Sequence, residues 1–491
     1  MSKVYRSVYT LLSGLLLVAG VRGYEHIDAP THDASREQSV EQALLGINVA
    51  YDDVLDETVT KGLFFSKKHH RHHKKPWTVI VYMAADNDLR GFAAANIRQM
   101  ASIGSSERVN ILIHLDIRLV GNNKVTRRYY VEKDRITHLN VRDTHTQRMN
   151  SGDPRTLISC CEWALSNYPA DNYALVIWDH GTGCLEPGGG VLTDPSGLFA
   201  LNNESNRYDV DRSRPFLDWV SSDDDPQKGV CWDSSTGNYI SNNQFDHALT
   251  YIRKKMLGGN KFTLIAFDAC LMSMIEVASM VKQHAHIMVG SEDAEIGTGW
   301  NYAKALAPFA HGVPNPEQLA KNIVQAYKAT YAPLTDDYTQ SAIYLDRVDR
   351  LEKNVDAVAK LLLQMMLMQT GRAVLDAVRA SGNKMACTHF DEPSYVDLFH
   401  LYANLLNNME RMKTQDAGQG EKLKTQLESL LRTGQQLIGE TVFASVAGRK
   451  VAKARGLSIY FPDRQIHHSY ASCSFIRTTA WGQLLSRLLK A

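Results

Sequence analysis

The feature that most constrains this chain is a set of five short apolar runs, each followed or preceded by a segment of helical periodicity. The runs read WTVIVYMAAD (77–86), RVNILIHLDI (108–117), NYALVIWDHGTG (172–183), KFTLIAFDAC (261–270) and AHIMVGSED (285–293). They are rich in β-branched residues and do not alternate with polar ones. Such runs are strands covered on both faces. Between the first two, Leu89, Phe92, Ala93, Ile97 and Met100 fall on one helical face. PRTLISCCEWALSNYP (154–169), SNNQFDHALTYIRKKM (with Ser241 or Asn242 as N-cap) and LMSMIEVASMVKQH read as further helices. Strand and helix in alternation predict an α/β fold with a mostly parallel sheet flanked by helices. KVTRRYYVEK (124–133) alternates more and predicts a hairpin or edge strand.

The last third is more helical. Val348, Leu351, Val355, Val358 and Leu362 share a face, and the stretches 393–409 and 421–442 have helical patterns. RGLSIYFP (455–462) reads as a strand that returns to the core, stopped by Pro462, and a helix closes the chain. Residues 184–230 break the rhythm. They are rich in Gly, Pro, Ser, Asp and Asn, and predict an exposed insertion.

At the other end, Lys3 and Arg6 precede VYTLLSGLLLVAGV, with Gly23 soon after. That order predicts a signal peptide over 1–23 and an exported protein; the run is short for a membrane span, which needs ~20 apolar residues. KKHHRHHKK (67–75) predicts a solvated linker. The formal net charge of +1 gives no global field for nucleic acid. Seven cysteines, irregularly spaced and without C-x-x-C, make neither a disulfide scaffold nor a zinc site. An odd count in an exported chain leaves a thiol for which catalysis is one reason to persist.

Two strand ends carry candidate chemistry. VIWDHG places His180 just past one run, and IAFDAC places Cys270 at the end of another. In open α/β sheets, sites gather at the carboxyl ends of parallel strands. Neighbouring parallel strands would therefore bring an imidazole to a thiol 90 residues away in sequence (270 − 180). Imidazole activates the thiol and shuttles a proton to the leaving amine. A helix N-terminus directly after Cys270 would favour the thiolate, and the backbone N–H groups of Gly181 and Cys270 are candidate oxyanion donors. P-loop, G-x-S-x-G, H-E-x-x-H and EF-hand patterns are not found in the sequence.

WTVIVYMAADNDL, VIWDHGTG, FDACLMSMIEVA, GSEDAEIGTGWNY and GLSIYFP, in this order, resemble the blocks of the clostripain-like cysteine peptidases, which have the caspase-like fold. The resemblance spans residues 76–482. It implies a catalytic domain over 76–345 and a helical region over 346–491, preceded by a pro-segment and linker over 24–75. It implies a secreted or periplasmic cysteine endopeptidase in which His180 is the general base and acid and Cys270 the nucleophile, a dyad without a third carboxylate. Asp179, on the opposite side of the strand from His180, takes no catalytic role.

Asp268 matches a family position that lines the pocket for the residue before the scissile bond, which implies a preference for Arg or Lys. The family often carries a second acid where this chain has Thr298, in Gly297-Thr298-Gly299-Trp300. A weaker or shifted preference follows, unless Glu292, Asp293 or Glu295 compensates. Family members are often activated by cleavage between the histidine and the cysteine. Arg207, Arg212 and Lys228 are candidate self-cleavage sites; Arg214 is disfavoured because Pro215 follows it. The 67–75 run is a further candidate.

No cofactor is required on this reading. Calcium, which some members use, is the open candidate, although SSDDD lacks the spacing of a defined site. The expected partners are protein or peptide substrates, with no nucleic acid and no stable membrane span after signal removal, the chain being a monomer or a cleaved two-chain form. The competing readings are a catalytically silent exported binding protein on the same fold, and a metal or polyanion binder built on 67–75.

Overall fold

Each of the five apolar runs forms a strand of one ten-stranded sheet. The structure is a computed structural model that describes residues 49–51, 73–119, 123–186, 199–202, 205–212, 229–412 and 418–490. In chain order the strands are β1 (Val49–Tyr51), β2 (Lys75–Ala85), β3 (Val109–Leu119), β4 (Asn123–Glu132), β5 (Arg135–His138), β6 (Ala170–Trp178), β7 (Phe262–Asp268), β8 (Ala285–Gly290), β9 (Thr339–Tyr344) and β10 (Val442–Ala447). Their order across the sheet is β1-β5-β4-β3-β2-β6-β7-β8-β9-β10. The central five, β3-β2-β6-β7-β8, are mutually parallel. Antiparallel β4 and β9 continue the sheet on either side.

The absence of alternation in the apolar runs has a direct cause. On β2, Ile80, Tyr82 and Ala84 enter one hydrophobic cluster, and Val79, Val81 and Met83 enter the other. Both faces are covered, so both sets of side chains are apolar. One face carries α1 (Arg90–Ile103) through Ala93, Ile97 and Met100. The other carries α2 (Pro154–Asn167), α3 (Asn242–Lys255) and α4 (Ile275–Val281). Ser241 caps α3 in a capping box with Gln244, which satisfies two otherwise unpaired backbone donors. Helix α5 (Pro316–Tyr331) joins α1's face through Leu319, Ile323 and Tyr327. In the C-terminal region α6 (Val348–Met366) packs on α9 (Gln419–Thr441) and α10 (Trp481–Lys490), beside α7 (Gly371–Ser381) and α8 (Leu398–Asn407).

Two sequence expectations change and a third is narrowed. The strand expected over 455–462 spans only Ser458–Tyr460 and pairs with Tyr395–Asp397, outside the main sheet. The main-sheet edge is taken instead by β10, which follows α9 without a breaker residue. Its half-buried pattern gives little strand signal. The alternating 124–133 segment is β4, which forms the expected hairpin, antiparallel to β3 and β5, and lies inside the sheet. The insertion is partly regular: Phe199–Asn202 pairs with Arg207–Val210, and Val230–Asp233 pairs with Asn238–Ile240. The signal peptide, most of the 67–75 run, Arg214, SSDDD and Lys228 lie outside the described residues. Among the described residues no helix is long and apolar enough to cross a membrane.

Candidate active site

Strands β6 and β7 are parallel neighbours, with Trp178 opposite Asp268. The Asp179 N–H donates to the Asp268 carbonyl at 3.3 Å, so the two chains leave the sheet side by side. His180 and Cys270 each stand two residues past their strand. Gly181 is the point of closest approach. A Cβ there would overlap the Cys270 carbonyl oxygen and lie 3.0 Å from Met272 Cγ. Only glycine lets the His180 loop come this close to the Cys270 turn.

That turn is held from three directions. Leu271 sits at φ +64°, a left-handed conformation costly for a leucine. Its N–H bonds the Asp293 carbonyl at 3.2 Å, and the Ser273 N–H bonds the Ser291 carbonyl at 2.7 Å. From the short strand at 458–460, the Ser458 N–H bonds the Ser273 carbonyl at 2.9 Å. The helix expected to start at Leu271 begins at Ile275, with Met274 as N-cap. Its N-terminus therefore does not adjoin the thiol.

His180 has a partner that the sequence reading missed. Its Nε2 lies 2.7 Å from Asp88 Oδ1. Asp88 follows β2, the parallel neighbour of β6 on the other side. One residue back, Asn87 Nδ2 donates to Asp179 Oδ1 at 2.6 Å, and the Trp232 N–H also donates to the Asp179 carboxylate. Consecutive residues on one loop thus grip consecutive residues on the other. Burial pushes Asp179 up to about 7 against the pull of these partners. The only sequence signal for Asp88 was its place at the carboxyl end of a parallel strand.

Cys270 is 8% exposed and His180 6%. The Glu295 N–H donates to Cys270 Sγ at 3.1 Å. Burial pushes the thiol well above the usual thiol range; that N–H pulls it back, and the carboxyls of Glu295, Asp391 and Asp293 push it further up. Burial thus favours the neutral thiol of Cys270.

Asp268 lies beneath. It accepts the Trp300 N–H at 2.9 Å and the Tyr302 hydroxyl at 2.7 Å. A Cβ at Gly299 would stand 2.8 Å from Asp268 Oδ1, so glycine lets the turn close on the carboxylate. Burial raises Asp268 to about 7. Thr298 turns aside, its hydroxyl 2.7 Å from that of Tyr331. Of the three acids named with it, Glu292 accepts the Gly456 N–H at 2.8 Å, Asp293 binds Arg212, and Glu295 meets Asp268.

Two candidate self-cleavage residues are anchored. Arg212 reaches Asp293 at 2.7 Å, Asp337 at 2.7 Å and Asp391 at 2.9 Å. Arg207 pairs with Asp336 at 2.8 Å and donates to the carbonyls of Ala332 and Thr335. Among the described residues no group of His, Cys, Asp and Glu is arranged to hold a metal ion.

The sequence model of the clostripain family matches residues 81–188 and 218–486, which include both strand ends. The chain belongs to the clostripain family. Clostripain of Hathewaya histolytica is 26% identical over 262 residues, 49% of this chain and 43% of that protein, so the match spans less than half of that relative's length. A secreted C11 cysteine protease from Bacteroides thetaiotaomicron, solved with an irreversible peptide inhibitor, aligns with a TM-score of 0.54 and 19% identity over 83% of this chain and 99% of that one. An inactive zymogen C11 protease from Parabacteroides distasonis aligns at 0.53 and 19% over 84% and 99%. These two likenesses establish the fold that the clostripain-like motifs implied.

Proposed function

We propose that this clostripain-family chain is an exported cysteine endopeptidase that cleaves after Arg or Lys through the Cys270–His180 pair. The observation that carries the reading is the glycine-only approach of the His180 loop to the Cys270 turn. Asp88 on Nε2 sets the proton of a neutral imidazole there and leaves Nδ1 basic. His180 takes the thiol proton as Sγ attacks the scissile carbonyl carbon. In this reading the Gly181 and Cys270 N–H groups receive the oxyanion. The C–N bond breaks as His180 returns the proton to the leaving amine. Water, deprotonated by His180, then attacks the thioester, and the carboxylate product leaves as the thiol is re-formed. Asp268 receives the basic side chain.

The burial of Cys270 fits a precursor state, and the inactive zymogen from Parabacteroides distasonis has the same fold. Self-cleavage within 184–230 is part of the proposal. Arg207 and Arg212 would first have to leave their aspartates, which makes Lys228 the preferred site.

Mass spectrometry of purified wild type beside Cys270→Ala tests this. Fragments ending at Arg or Lys within 184–230, absent from the variant, are expected. An intact wild type that also leaves Arg and Lys peptides uncut would refute the reading.

A further inference from the structure

The loops that hold Asp88 and His180 are gripped by a third segment, Val230–Asp233 with Ser234, which follows the insertion. The Ser234 N–H donates to the Asp86 carbonyl at 2.7 Å, and Asn87 Nδ2 donates to the Trp232 carbonyl at 3.2 Å. The Trp232 N–H donates to the Asp179 carboxylate, which Asn87 also binds. Asp88 and His180 are the next residues along those two loops. Cys231 holds φ +62°, a left-handed conformation that residues with a Cβ seldom adopt. Such strain persists only where the surroundings enforce it.

Under this junction lies an ammonium. Lys124 on β4 stands 3.1 Å from Asp86 and 3.2 Å from Asp116, and it pairs with Asp233. All three aspartates are fully buried. Asp86 follows β2, Asp116 lies on β3 and Asp233 belongs to the third segment, so one cation joins three pieces of chain. Two of the carboxylates have other donors. The Ser151 N–H donates to Asp116 at 2.8 Å and to Asp233 at 3.0 Å, the Thr126 hydroxyl to Asp116 at 3.0 Å and the Thr236 N–H to Asp233 at 3.0 Å. The Asp86 carboxylate accepts no hydrogen bond. Charge alone holds it, from Lys124 and from Arg118 at 3.5 Å.

We infer that Lys124 is a positioning residue for the His180–Cys270 pair: by drawing Asp86 and Asp233 together, it seats the 230–234 segment on the loop that carries Asp88 and so sets Asp88 against His180. This rests on the peptidase reading above. Without the ammonium, Asp86 and Asp233 are like charges at close quarters and out of water, where repulsion is strong. The two segments separate, and Asp88 loses its place at His180 Nε2. In a chain cut at Lys228 the same segment begins the second chain, and Lys124 is its buried anchor.

The test is a double-mutant cycle on the full chain, with kcat and KM for an Arg peptide in wild type, Lys124→Met, Asp88→Asn and the double variant. Lys124→Met is expected to lower kcat about 10-fold with KM little changed, a part of what general acid–base catalysis supplies. In the Asp88→Asn background the same change should cost less than about 3-fold, because residues that act as one unit are not additive. The pH profile of Cys270 alkylation, by an Arg chloromethyl ketone and by uncharged iodoacetamide, should shift alike in Lys124→Met and Asp88→Asn. Lys124→Arg, which keeps the charge, should recover part of the rate. Asp233→Asn, which cuts the link from the other side, carries the same prediction where Lys124→Met does not fold. Equal falls in the two backgrounds, or an unshifted profile, would make Lys124 a structural ion pair only and overturn the inference. A wild type that neither cleaves the peptide nor is alkylated at Cys270 instead removes the peptidase reading.

Discussion

His180 Nε2 and Asp88 Oδ1 stand 2.7 Å apart, across the ends of two adjacent parallel strands. The pairing is reinforced one residue back by Asn87 and Asp179. Asp88 does not approach the substrate in the proposed reaction; it holds the imidazole and fixes its tautomer. Asp88→Asn is expected to lower kcat about 10- to 100-fold with KM little changed, a part of the ~10²–10⁴ that general acid–base catalysis supplies. The pH profile of Cys270 alkylation should shift with it, and Asp88→Glu should restore part of the rate. An unchanged profile, or a faster enzyme, would show that the contact does not serve the dyad.

Gly181 permits the approach of the two loops. Gly181→Ala places a methyl group against the Cys270 carbonyl, in overlap with backbone that has little room to yield. Overpacking of this kind costs about 1–3 kcal/mol of stability. Activity should fall further than the melting temperature implies, because the two loops must separate. Calorimetry beside a peptide-hydrolysis assay checks both.

The burial of Asp268 predicts a pH dependence. Asp268 is raised to about 7 and faces the Glu295 carboxyl, the Trp300 N–H, the Tyr302 hydroxyl and the phenols of Tyr327 and Tyr331. Its folded pKa lies above the unfolded carboxylate value of about 3.9. Its ionisation therefore weakens the ligand-free fold as pH rises between those two values. Binding of a basic side chain needs the ionised form and runs the other way. The ratio of Arg-ketone to iodoacetamide rates should rise as pH passes through about 7; a ratio independent of pH would contradict the assignment.

Arg212 ties the insertion to the segment that holds the Cys270 turn. It pairs with Asp293, whose carbonyl holds the Leu271 N–H next to Cys270. Arg212→Ala leaves buried Asp293 and Asp391 without their counter-charge, while Asp337 keeps Lys450 at 2.9 Å; by analogy with broken buried pairs the loss is about 3 kcal/mol. Urea unfolding should show it, and hydrogen exchange at the Leu271 and Ser273 amides should accelerate. Self-cleavage should persist, because the preferred site lies beyond Arg212.

The parallel sheet and the two strand ends were legible because burial on both faces writes itself as continuous apolar runs. His180 and Cys270 followed from where those runs stop. Asp88 was not legible: in AADNDL it is one of several polar residues after a strand, and only the pairing of β2 with β6 aims it at His180. Strand β10 was hidden because α9 runs into it without a turn residue and because an edge strand is half-buried. The start of α4 was placed four residues early, because the buried turn at 270–274 is as apolar as the helix it precedes. Glu295 was one of three acids in SEDAE, and only the fold separates the one that meets Asp268 from those that bind Arg212 and Gly456.

The most direct measurement of the central claim is intact-mass and peptide mapping after incubation with an Arg chloromethyl ketone, in wild type, Cys270→Ala and His180→Ala. The account predicts a single adduct on Cys270, none in Cys270→Ala, and much slower labelling in His180→Ala. Labelling spread over other cysteines, or labelling of Cys270 at the same rate without His180, would contradict it.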